Sequence, residues 1–541
     1  MHAFKVQLPQ RWVLPVACFF LLILIAILEI PILQASGGMM IYPQDECYTR
    51  LAIGRWLAFD GTWGISPHIF SSASSSLLYP VILAGFFKIV GPQPVIPFLI
   101  NLAAALAFIV SLQKWLQQQQ IRPMRQVLVL CTIIYFIPLH VMVVNGMEHT
   151  LQILFCFLFL FKFCEWFSMD EQTDGAPPVF PWILYVYGII VATLRYEGLF
   201  LILPVCIALL VKKRWAPGLL LGGLTLLPIV LFGIYSLSKG GYFIPNTIML
   251  KAMPLPLDLT SIQHFFTDEI FNKLVYPYPT RGNTASSRLL ILLPLVYWLY
   301  IDVLRVNTLY RYILLFCLVM TIEHLLFANV LLFYRYEAYL VACDLVVPST
   351  LVARYGLPML TGKGRPVKWV VAWLCLFLTY PFFSRTWGAH REANYGLFHE
   401  YLQNYQAAQF LKRYYNDRVV VMDELGLASF LSPGRKLDIV AGNAYVEVTS
   451  SKVDGFTRPE YIDFLIKKEK PVIALISEKQ YHPYLIQYWK KISAWKTIYK
   501  LPMGDNELDI YAVDTLNTDA LRKDLRTFEQ HLPDGVKVDT K

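Results

Sequence analysis

The chain has 541 residues, of which 56% are hydrophobic and only 16% carry a charge. Soluble proteins carry about 25% charged residues, so this composition excludes a chain that is soluble over its whole length. The net charge of +9 comes from Lys and Arg scattered through short loops, without the basic stripe of a nucleic-acid-binding protein. No nucleic-acid partner is predicted, and the nine cysteines show neither metal-ligand spacing nor a disulfide framework.

Apolar stretches long enough to cross a bilayer recur from the N-terminal region to about residue 385. The first is too long for the core of a signal peptide and has no typical cleavage site, so we expect it to be retained. The eleven predicted spans are residues 11–34, 95–115, 126–144, 149–167, 179–195, 198–211, 216–238, 288–304, 310–331, 336–353 and 367–385. The run at 77–91 is shorter than a span and predicts an interfacial helix.

The orientation follows from Lys and Arg in the short loops. With the N-terminus inside, the inside segments hold nearly all of the clustered cations, which is the positive-inside pattern. These cations are Lys5, Arg11, Lys114, Arg122, Arg125, Lys212, Lys213, Arg214, Arg305, Arg311, Arg354, Lys363, Arg365 and Lys368. Eleven spans that start inside leave the C-terminus outside, and the predicted fold class is a polytopic α-helical membrane protein.

From about residue 392 the composition becomes that of a soluble protein. The runs "RVVVMDELG", "KPVIALIS", "WKTIYKL" and "LDIYAVD" predict short strands between helices, and therefore a small outer α/β domain. The predicted domains are a transmembrane part at 1–390 with a first outer loop at 35–94, an α/β domain at 391–515, and a polar tail at 516–541 that we expect to be a surface helix with a loose end.

The polar clusters of the membrane part all fall on the predicted outer side or near it. They hold the residues Asp45, Glu46, Glu148, Arg195, Glu197, Asn246, Lys251, His324 and Arg335. Carboxylates can act as bases or hold a divalent metal, Arg and Lys can bind a phosphate, and a horizontal apolar helix can guide a lipid tail. Together they suit a lipid-phosphate substrate that reacts at the outer leaflet.

The ordered motifs resemble a known family. The acidic pair in "DECYTRLAIGRWLAFDGTWG", followed by "SSASSSLLYPVILAGFFKIVG", resembles the first outer loop of GT-C membrane glycosyltransferases, which use polyprenyl-phosphate sugars. "NGMEHTL", "LRYEGLFLIL" and "YFIPNTIMLKA" are most similar to the subfamily of the mycobacterial terminal β-arabinofuranosyltransferase and its bacterial relatives. The resemblance implies a GT-C fold in a bacterial inner membrane, a periplasmic C-terminal domain, and transfer of a sugar from a polyprenyl-phosphate donor to a glycan or glycolipid acceptor.

Each of these residues has an expected role that follows from its chemistry and its position on the outer side, and for Asp45 the resemblance supports the role as well. Asp45 is expected to be the general base and Glu46 its partner acid. Lys251, Arg335 and Arg195 are the candidates for binding the donor phosphate. Asn246, Glu148, Glu197 and His324 are the candidates for binding substrate. A divalent cation (Mg, Mn or Ca) is a candidate cofactor, with Asp45, Glu46 and Glu148 as its candidate ligands.

Each of these residues also has a purely structural interpretation. Asp45 can cap the helix that follows it, and Glu148 can cap a helix that starts at the next residue. Arg195 and Glu197 can form an ion pair at a tight hairpin. His324 can be an interhelical histidine with satisfied hydrogen bonds, and Lys251 can be a solvated lysine.

Three other functions are compatible with the sequence. A transporter or flippase for lipid-linked glycans would place its ionisable groups near the midplane, often in paired halves, and no matched halves are found here. A glycan polymerase or ligase of a different membrane fold, and a receptor whose outer domain is the working part, are the other two. The acidic pair early in the chain and the long soluble tail favour the glycosyltransferase.

Overall fold

The structure is a computed structural model that describes residues 8–67, 69–172, 178–251, 308–328, 334–355, 365–437, 459–477, 488–498, 506–514 and 518–540. The described part is mostly helical, with a sheet near the C-terminus. The helices are α1 Val13–Ala35, α2 Asp45–Asp60, α3 Leu78–Val90, α4 Val95–Gln118, α5 Pro123–Phe136, α6 Leu139–Val144, α7 His149–Gln172, α8 Trp182–Leu194, α9 Leu199–Val211, α10 Trp215–Ser238, α11 Asn246–Lys251, α12 Thr308–Phe327, α13 Ala338–Tyr355, α14 Arg365–His399, α15 Gln406–Tyr414, α16 Gly426–Leu431, α17 Pro459–Glu469 and α18 Thr518–Glu529.

Six of these helices are long and apolar enough to cross a membrane: α1, α4, α7, α10, α12 and α13. They match six of the predicted spans and confirm a polytopic helical membrane protein. The predicted spans at 179–195 and 198–211 form shorter apolar helices, α8 and α9. The predicted span at 367–385 lies within α14, and the one at 288–304 lies outside the described residues. The total of eleven spans therefore stays a prediction.

The predicted single span at 126–144 is wrong in one respect, because two helices occupy it. The helix α5 ends at Phe136, and α6 begins at Leu139. Pro138 lies between them, and proline has no backbone N–H to continue a helical hydrogen-bond ladder. The averaged hydropathy of the run gave no sign of this break, since most of the flanking residues are apolar.

The first loop folds into two helices that pack on each other. The helix α2 begins at Asp45 after the extended residue Gln44 and ends at Asp60. Gly61, which follows it, adopts the left-handed conformation that favours glycine. The helix α3 matches the predicted interfacial helix in position and length. It buries Tyr79 and Leu83 against α2 and leaves Ile89 exposed. This arrangement holds the acidic start of α2 in a fixed place.

The C-terminal part contains a six-stranded sheet with strand order β2-β1-β3-β5-β4-β6. The strands are β1 Val420–Met422, β2 Lys436–Leu437, β3 Ile473–Ile476, β4 Lys490–Thr497, β5 Glu507–Ala512 and β6 Val536–Thr540. The pairs β1–β2 and β1–β3 are parallel, and the remaining pairs are antiparallel. Three predicted strands are confirmed as β1, β3 and β5. The fourth, "WKTIYKL" at 495–501, overlaps only the last three residues of β4, which begins five residues earlier, and its residues after 498 lie outside the described part.

The last apolar helix leads directly into this sheet domain. The helix α14 continues through a π-helical segment, Glu400–Tyr405, into α15 without a break. The helix α16 follows β1 and packs against α2, so the sheet domain contacts the first loop. The predicted boundary at 390/391 lies inside α14, and the predicted domain division stays a prediction.

The expectation of a loose C-terminal end is wrong for residues 536–540. These residues form β6, which pairs antiparallel with β4 at the edge of the sheet. The predicted surface helix before it is present as α18, which buries Leu521, Leu525 and Phe528. The apolar spacing of α18 and the alternating "VKVDT" run are compatible with these elements, but the overall polarity of the segment favoured a loose tail.

Candidate functional site

The carboxylate of Asp45 is held by the sheet domain. Its Oδ2 accepts a hydrogen bond from the backbone N–H of Gly426 at 2.7 Å, and its Oδ1 accepts one from the N–H of Leu427 at 3.0 Å. Both donors lie at the start of α16, so Asp45 caps a helix of the other domain. No side-chain cap is found at the start of its own helix, α2. The cap predicted from the sequence is therefore assigned to the wrong helix.

The contact requires glycine at position 426. A Cβ atom placed there would lie 2.4 Å from the backbone oxygen of Asp45 and 2.5 Å from the backbone nitrogen of Thr49. Both are backbone atoms of α2 and cannot swing away. The absence of a side chain is what lets the two segments approach closely enough for the hydrogen bonds to Asp45.

The protonation equilibrium of Asp45 is set by opposing effects. Burial raises its pKa, the N–H groups of Gly426 and Leu427 lower it, and the neighbouring carboxylate of Glu46 raises it, with the result at about 6. At neutral pH most of the group is ionised, yet it is a stronger base than an ordinary aspartate. A base with a pKa close to the working pH is the kind that general base catalysis favours.

Glu46, the next residue, faces a different partner. Its Oε2 accepts a hydrogen bond from Nη2 of Arg335, which is buried at 1% exposure. The other guanidinium nitrogens make weaker contacts or none. Nη1 lies 3.4 Å from the sulfur of Met147, and Nε has no hydrogen-bond partner among the described residues. The large majority of buried polar groups in proteins, such as guanidinium N–H groups, are hydrogen-bonded. Arg335 therefore has unused capacity for an anionic oxygen.

A second charged network lies beside this pair. Glu148 accepts hydrogen bonds from Nε of Arg50 at 2.7 Å and from Nη1 of Arg195 at 3.0 Å. Arg195 also donates to Glu197 at 3.1 and 2.5 Å. Burial raises the pKa of Glu148, but the charges of the two arginines and of His149 outweigh it and hold the value at about 2. The ion pair predicted between Arg195 and Glu197 is therefore present.

Glu148 does not use its side chain to cap α7. Its backbone oxygen accepts the N–H of Gln152 at 3.0 Å, as expected for a residue just before a helix. The two carboxylate oxygens are taken by the arginines. The alternative of a side-chain cap is therefore not what the structure contains.

A cavity of about 210 Å³ opens next to these networks, and we call it the arginine cavity. Its polar lining residues are Ser75, Arg195, Tyr196, Glu197, Thr247 and Tyr336, with apolar side chains between them. The hydroxyl groups of Tyr196 and Thr247 are buried, and neither has a hydrogen-bond partner within the described ranges. Ser75 accepts from Arg50 at 3.2 Å, so the serine run of the first loop contributes to the site. The cavity thus offers hydroxyl groups and a cationic wall.

Two of the candidate residues belong to the short helix α11. Asn246 begins it and Lys251 ends it. The side chain of Asn246 is fully buried, and neither its oxygen nor its nitrogen has a hydrogen-bond partner in the part of the chain that the structure describes. It is next to Thr247, which lines the arginine cavity. Lys251 ends the helix, and its side chain lies outside the part that the structure describes. The role of Lys251 stays a prediction.

His324 has the arrangement of an interhelical histidine. Its Nδ1 lies 3.0 Å from the hydroxyl of Tyr339, which belongs to the neighbouring helix α13. Its ring is also 5.9 Å from that of Phe200, which lines the arginine cavity. A contact of His324 with substrate stays a prediction.

The three acids named as candidate metal ligands do not converge. Asp45 binds backbone N–H groups, and Glu46 and Glu148 bind arginines. Within the described ranges, no group of three or more His, Cys, Asp or Glu side chains is arranged to hold a metal ion. These residues as they stand do not fit a metal centre, and a dependence on divalent cations stays a prediction.

Sequence reasoning missed two residues of this site. Arg50 lies four residues after Glu46, so both are on one face of α2, and this charge in the first-loop helix was a usable signal. Glu400 lies in the π-helical segment and is 4% exposed. Burial raises its pKa well above the usual range, and the nearby charge of Asp45 raises it further. Glu400 is more than 350 positions from Asp45 in the chain, and the sequence contains no local signal of that contact.

Comparison with known proteins gives no family for this chain. No protein-family model and no curated protein matches it. Among solved structures, it is similar to ArnT from Cupriavidus metallidurans bound to undecaprenyl phosphate, at 12% identity and a TM-score of 0.48, over 92% of this chain and 99% of that one. It is also similar to the archaeal oligosaccharyltransferase AglB from Archaeoglobus fulgidus, in complex with an inhibitory peptide and a dolichol-phosphate, at 10% identity and a TM-score of 0.43, over 94% of this chain and 74% of that one.

Proposed function

We propose that this protein is a membrane glycosyltransferase of the GT-C type. It moves a sugar from a polyprenyl-phosphate donor to a glycan or glycolipid acceptor at the outer face of the membrane, with inversion. The observation that carries the proposal is the pair of adjacent acids at the start of α2. Asp45 is a fixed carboxylate with a pKa of about 6, and Glu46 holds Arg335. The guanidinium of Arg335 lies 5.1 Å over the ring of Tyr336, which lines the arginine cavity.

Asp45 is the general base of this proposal. The acceptor hydroxyl attacks the anomeric carbon of the donor sugar and transfers its proton to Asp45. The bond between the anomeric carbon and the phosphate oxygen breaks, and the polyprenyl phosphate leaves with the electron pair. A phosphate needs no proton to leave but does need its charge neutralised, so one base and one cation are sufficient.

Arg335 is the preferred phosphate-binding residue among the described arginines. Arg195 donates to Glu148 and Glu197 through three of its nitrogens, whereas Arg335 has one carboxylate partner and a free Nε. Charge-assisted hydrogen bonds to phosphate are about twice as strong as neutral ones. A phosphate that competes with Glu46 for Arg335 would therefore release the Glu46 carboxylate as it binds. Lys251 is the additional cation proposed from the sequence.

The sugar of the donor is assigned to the arginine cavity. The unpartnered hydroxyls of Tyr196 and Thr247, and the unpartnered amide of Asn246 beside them, supply donors and acceptors that suit sugar hydroxyls. Glu148 and Arg50 are then positioning residues, since they hold the wall of the cavity rather than face the ligand.

The test is sugar transfer by purified Asp45→Asn protein in lipid nanodiscs, with a radiolabelled polyprenyl-phosphate sugar as donor. Loss of a general base typically costs about 10²–10⁴-fold in rate, and we expect kcat to fall by this factor while donor binding is kept. Asparagine also removes one of the two acceptors that face Gly426 and Leu427, so the melting temperature is measured in parallel. Near-normal turnover by folded Asp45→Asn would remove the base from the proposal.

The runner-up function is a transporter or flippase of a lipid-linked glycan. The same assay separates the two, because a flippase moves the donor across the bilayer with its sugar–phosphate bond intact. Release of polyprenyl phosphate together with a glycosylated acceptor supports the transferase. Movement of intact donor without bond cleavage supports the transporter.

A further inference from the structure

A second cavity is lined in part by the first loop, and we call it the Glu29 cavity. Its volume is about 540 Å³, which is within the usual range of about 300–1,000 Å³ for sites that hold small molecules. Its walls are mainly apolar, with Ile25, Leu33 and Phe98 among the lining residues. It lies between the end of α1, the start of α4 and the helix α16 of the sheet domain. An apolar ligand fits this lining.

One charged side chain lines this apolar cavity. Glu29 of α1 is only 5% exposed, and among the described residues neither of its buried carboxyl oxygens has a hydrogen-bond partner. A polar group that is buried without a hydrogen-bond partner loses its hydration and lowers the stability of the folded protein. Ionisable residues inside membrane-spanning segments are rare and are functional candidates by default. The position therefore points to a partner that is supplied by a ligand.

The cavity reaches the surroundings of Asp45. Leu427, whose N–H binds Oδ1 of Asp45, is one of its lining residues. Tyr48 is another, and it lies three residues after Asp45 on the same face of α2. A ligand that fills the cavity from Ile25 upwards would therefore end close to the proposed base.

We propose that the Glu29 cavity binds the acceptor, and that the acceptor is a lipid with a hydrogen-bond donor, a hydroxyl or amide N–H, at the head end of its apolar chain. Glu29 accepts that hydrogen bond and sets the depth of the lipid. A carboxyl oxygen accepts hydrogen bonds whether or not the group carries its proton. The role of this lipid as the acceptor rests on the proposed function, whereas the lipid-binding site itself does not.

The charges of the two cavities separate donor from acceptor. Arg195 lines the arginine cavity, whereas no Lys or Arg is among the residues that line the Glu29 cavity in the described part of the chain. A phosphate placed beside Glu29 would lose its hydration without gaining a cation. The Glu29 cavity therefore selects against the lipid phosphate and for a neutral lipid head.

The experiment uses the full chain in phosphatidylcholine nanodiscs and an alkyl glucoside with a diazirine in its alkyl chain. After irradiation, peptide mass spectrometry locates the label, and unlabelled alkyl glucoside competes for the site. We expect labelling of α1 and the start of α4 around Ile25, Leu33 and Phe98. An alkyl phosphate of the same chain length should compete at least tenfold more weakly. Equal competition by the alkyl phosphate would overturn the assignment to a neutral head.

Glu29→Gln and Glu29→Leu test the role of the carboxyl group. A hydrogen bond to such a group is worth roughly a factor of ten or more in affinity, so the half-saturating glucoside concentration should rise about tenfold in Glu29→Leu and less in Glu29→Gln. Glu165→Gln, the same change at a partly exposed position paired with Lys162, is the matched control and should bind normally. Unchanged labelling in Glu29→Leu would overturn the proposal.

A stability measurement separates ligand binding from a structural role. Because the carboxyl group of Glu29 has no hydrogen-bond partner among the described residues, Glu29→Leu should keep or raise the melting temperature while it weakens labelling. A structural carboxyl group would give the opposite result, a lower melting temperature with labelling retained. Labelling without any sugar transfer would leave this site standing and refute the proposed function, whereas sugar transfer without labelling would do the reverse.

Discussion

Gly426→Ala tests whether the sheet domain controls the chemistry at Asp45. The added Cβ atom would meet backbone atoms of Asp45 and Thr49 at 2.4 and 2.5 Å, so α16 has to move away from α2. At least one of the two N–H bonds to the Asp45 carboxylate is then lost or lengthened. A hydrogen bond to a charged group is worth about 1.5–3 kcal/mol, and each 1.36 kcal/mol corresponds to about one pKa unit.

The sign of the effect follows from which form of Asp45 the N–H groups stabilise. They favour the carboxylate and lower a pKa that stands at about 6, so their loss raises it. The acidic limb of the pH–rate profile for sugar transfer should therefore move to higher pH by about one unit or more. At neutral pH the variant should be slower, and raising the pH should restore part of the rate.

The matched control is Gly85→Ala in the neighbouring helix α3, where a Cβ atom meets nothing within 4 Å. This variant should keep the wild-type profile. The assay is kcat/KM measured between about pH 5 and pH 9, with a thermal melt of each variant. A folded Gly426→Ala protein with an unshifted acidic limb would refute either the base assignment of Asp45 or the control of Asp45 by α16.

Three further predictions follow from the charged networks and the orientation. Arg335→Ala should raise the donor KM by at least about tenfold and leave the acceptor KM unchanged, and Glu46→Gln should have a smaller effect; an unchanged donor KM in Arg335→Ala moves the phosphate site elsewhere. Glu148→Gln should destabilise the protein by about 3–5 kcal/mol, because it breaks a buried pair, and thermal melts measure this. The pKa of Glu148 is lowered from its ordinary 4.5 to about 2. The wild-type network therefore contributes its full stability above pH 4.5 and loses this contribution as the pH falls toward 2. Glu148→Gln should lack this pH dependence of stability. Reporter fusions should place the loops at 117–122 and 360–365 inside and the sheet domain outside, and a sheet domain found inside would defeat the proposed location of the reaction.

The sequence predicted what is encoded locally. The apolar runs located six of the long helices. The short β-rich runs located three of the six described strands and the last three residues of a fourth. The break at Pro138 was not predicted, because the average hydropathy of the run indicates one continuous span. The edge strand β6 was not predicted, because the polar composition of the last segment indicates a loose tail. In both cases the decisive information is a single residue or a pairing partner rather than the average composition.

The candidate site was predictable as a set of residues but not as a set of contacts. The acids and cations of the separate loops were expected on one side, and the structure brings Glu46 to Arg335 and Glu148 to Arg195. The bond from Asp45 to Gly426 joins residues 381 positions apart. Neither periodicity nor a local motif predicts a contact between residues so far apart in the chain. For the same reason the position of Glu400 near Asp45 was not predicted.

The unbroken passage from α14 through Glu400–Tyr405 into α15 restricts how the site can open. At about 1.5 Å per residue this rod is on the order of 70 Å long, more than twice the roughly 30 Å of bilayer hydrocarbon. Between residues 365 and 414 the structure describes no loop that would let the sheet domain swing as a free lid. Two features of this rod are places where helices commonly bend: Pro381 within α14 and the π-helical segment at Glu400–Tyr405. We therefore expect a separation of the sheet domain from Asp45 to involve a bend of the rod rather than the swing of a free lid.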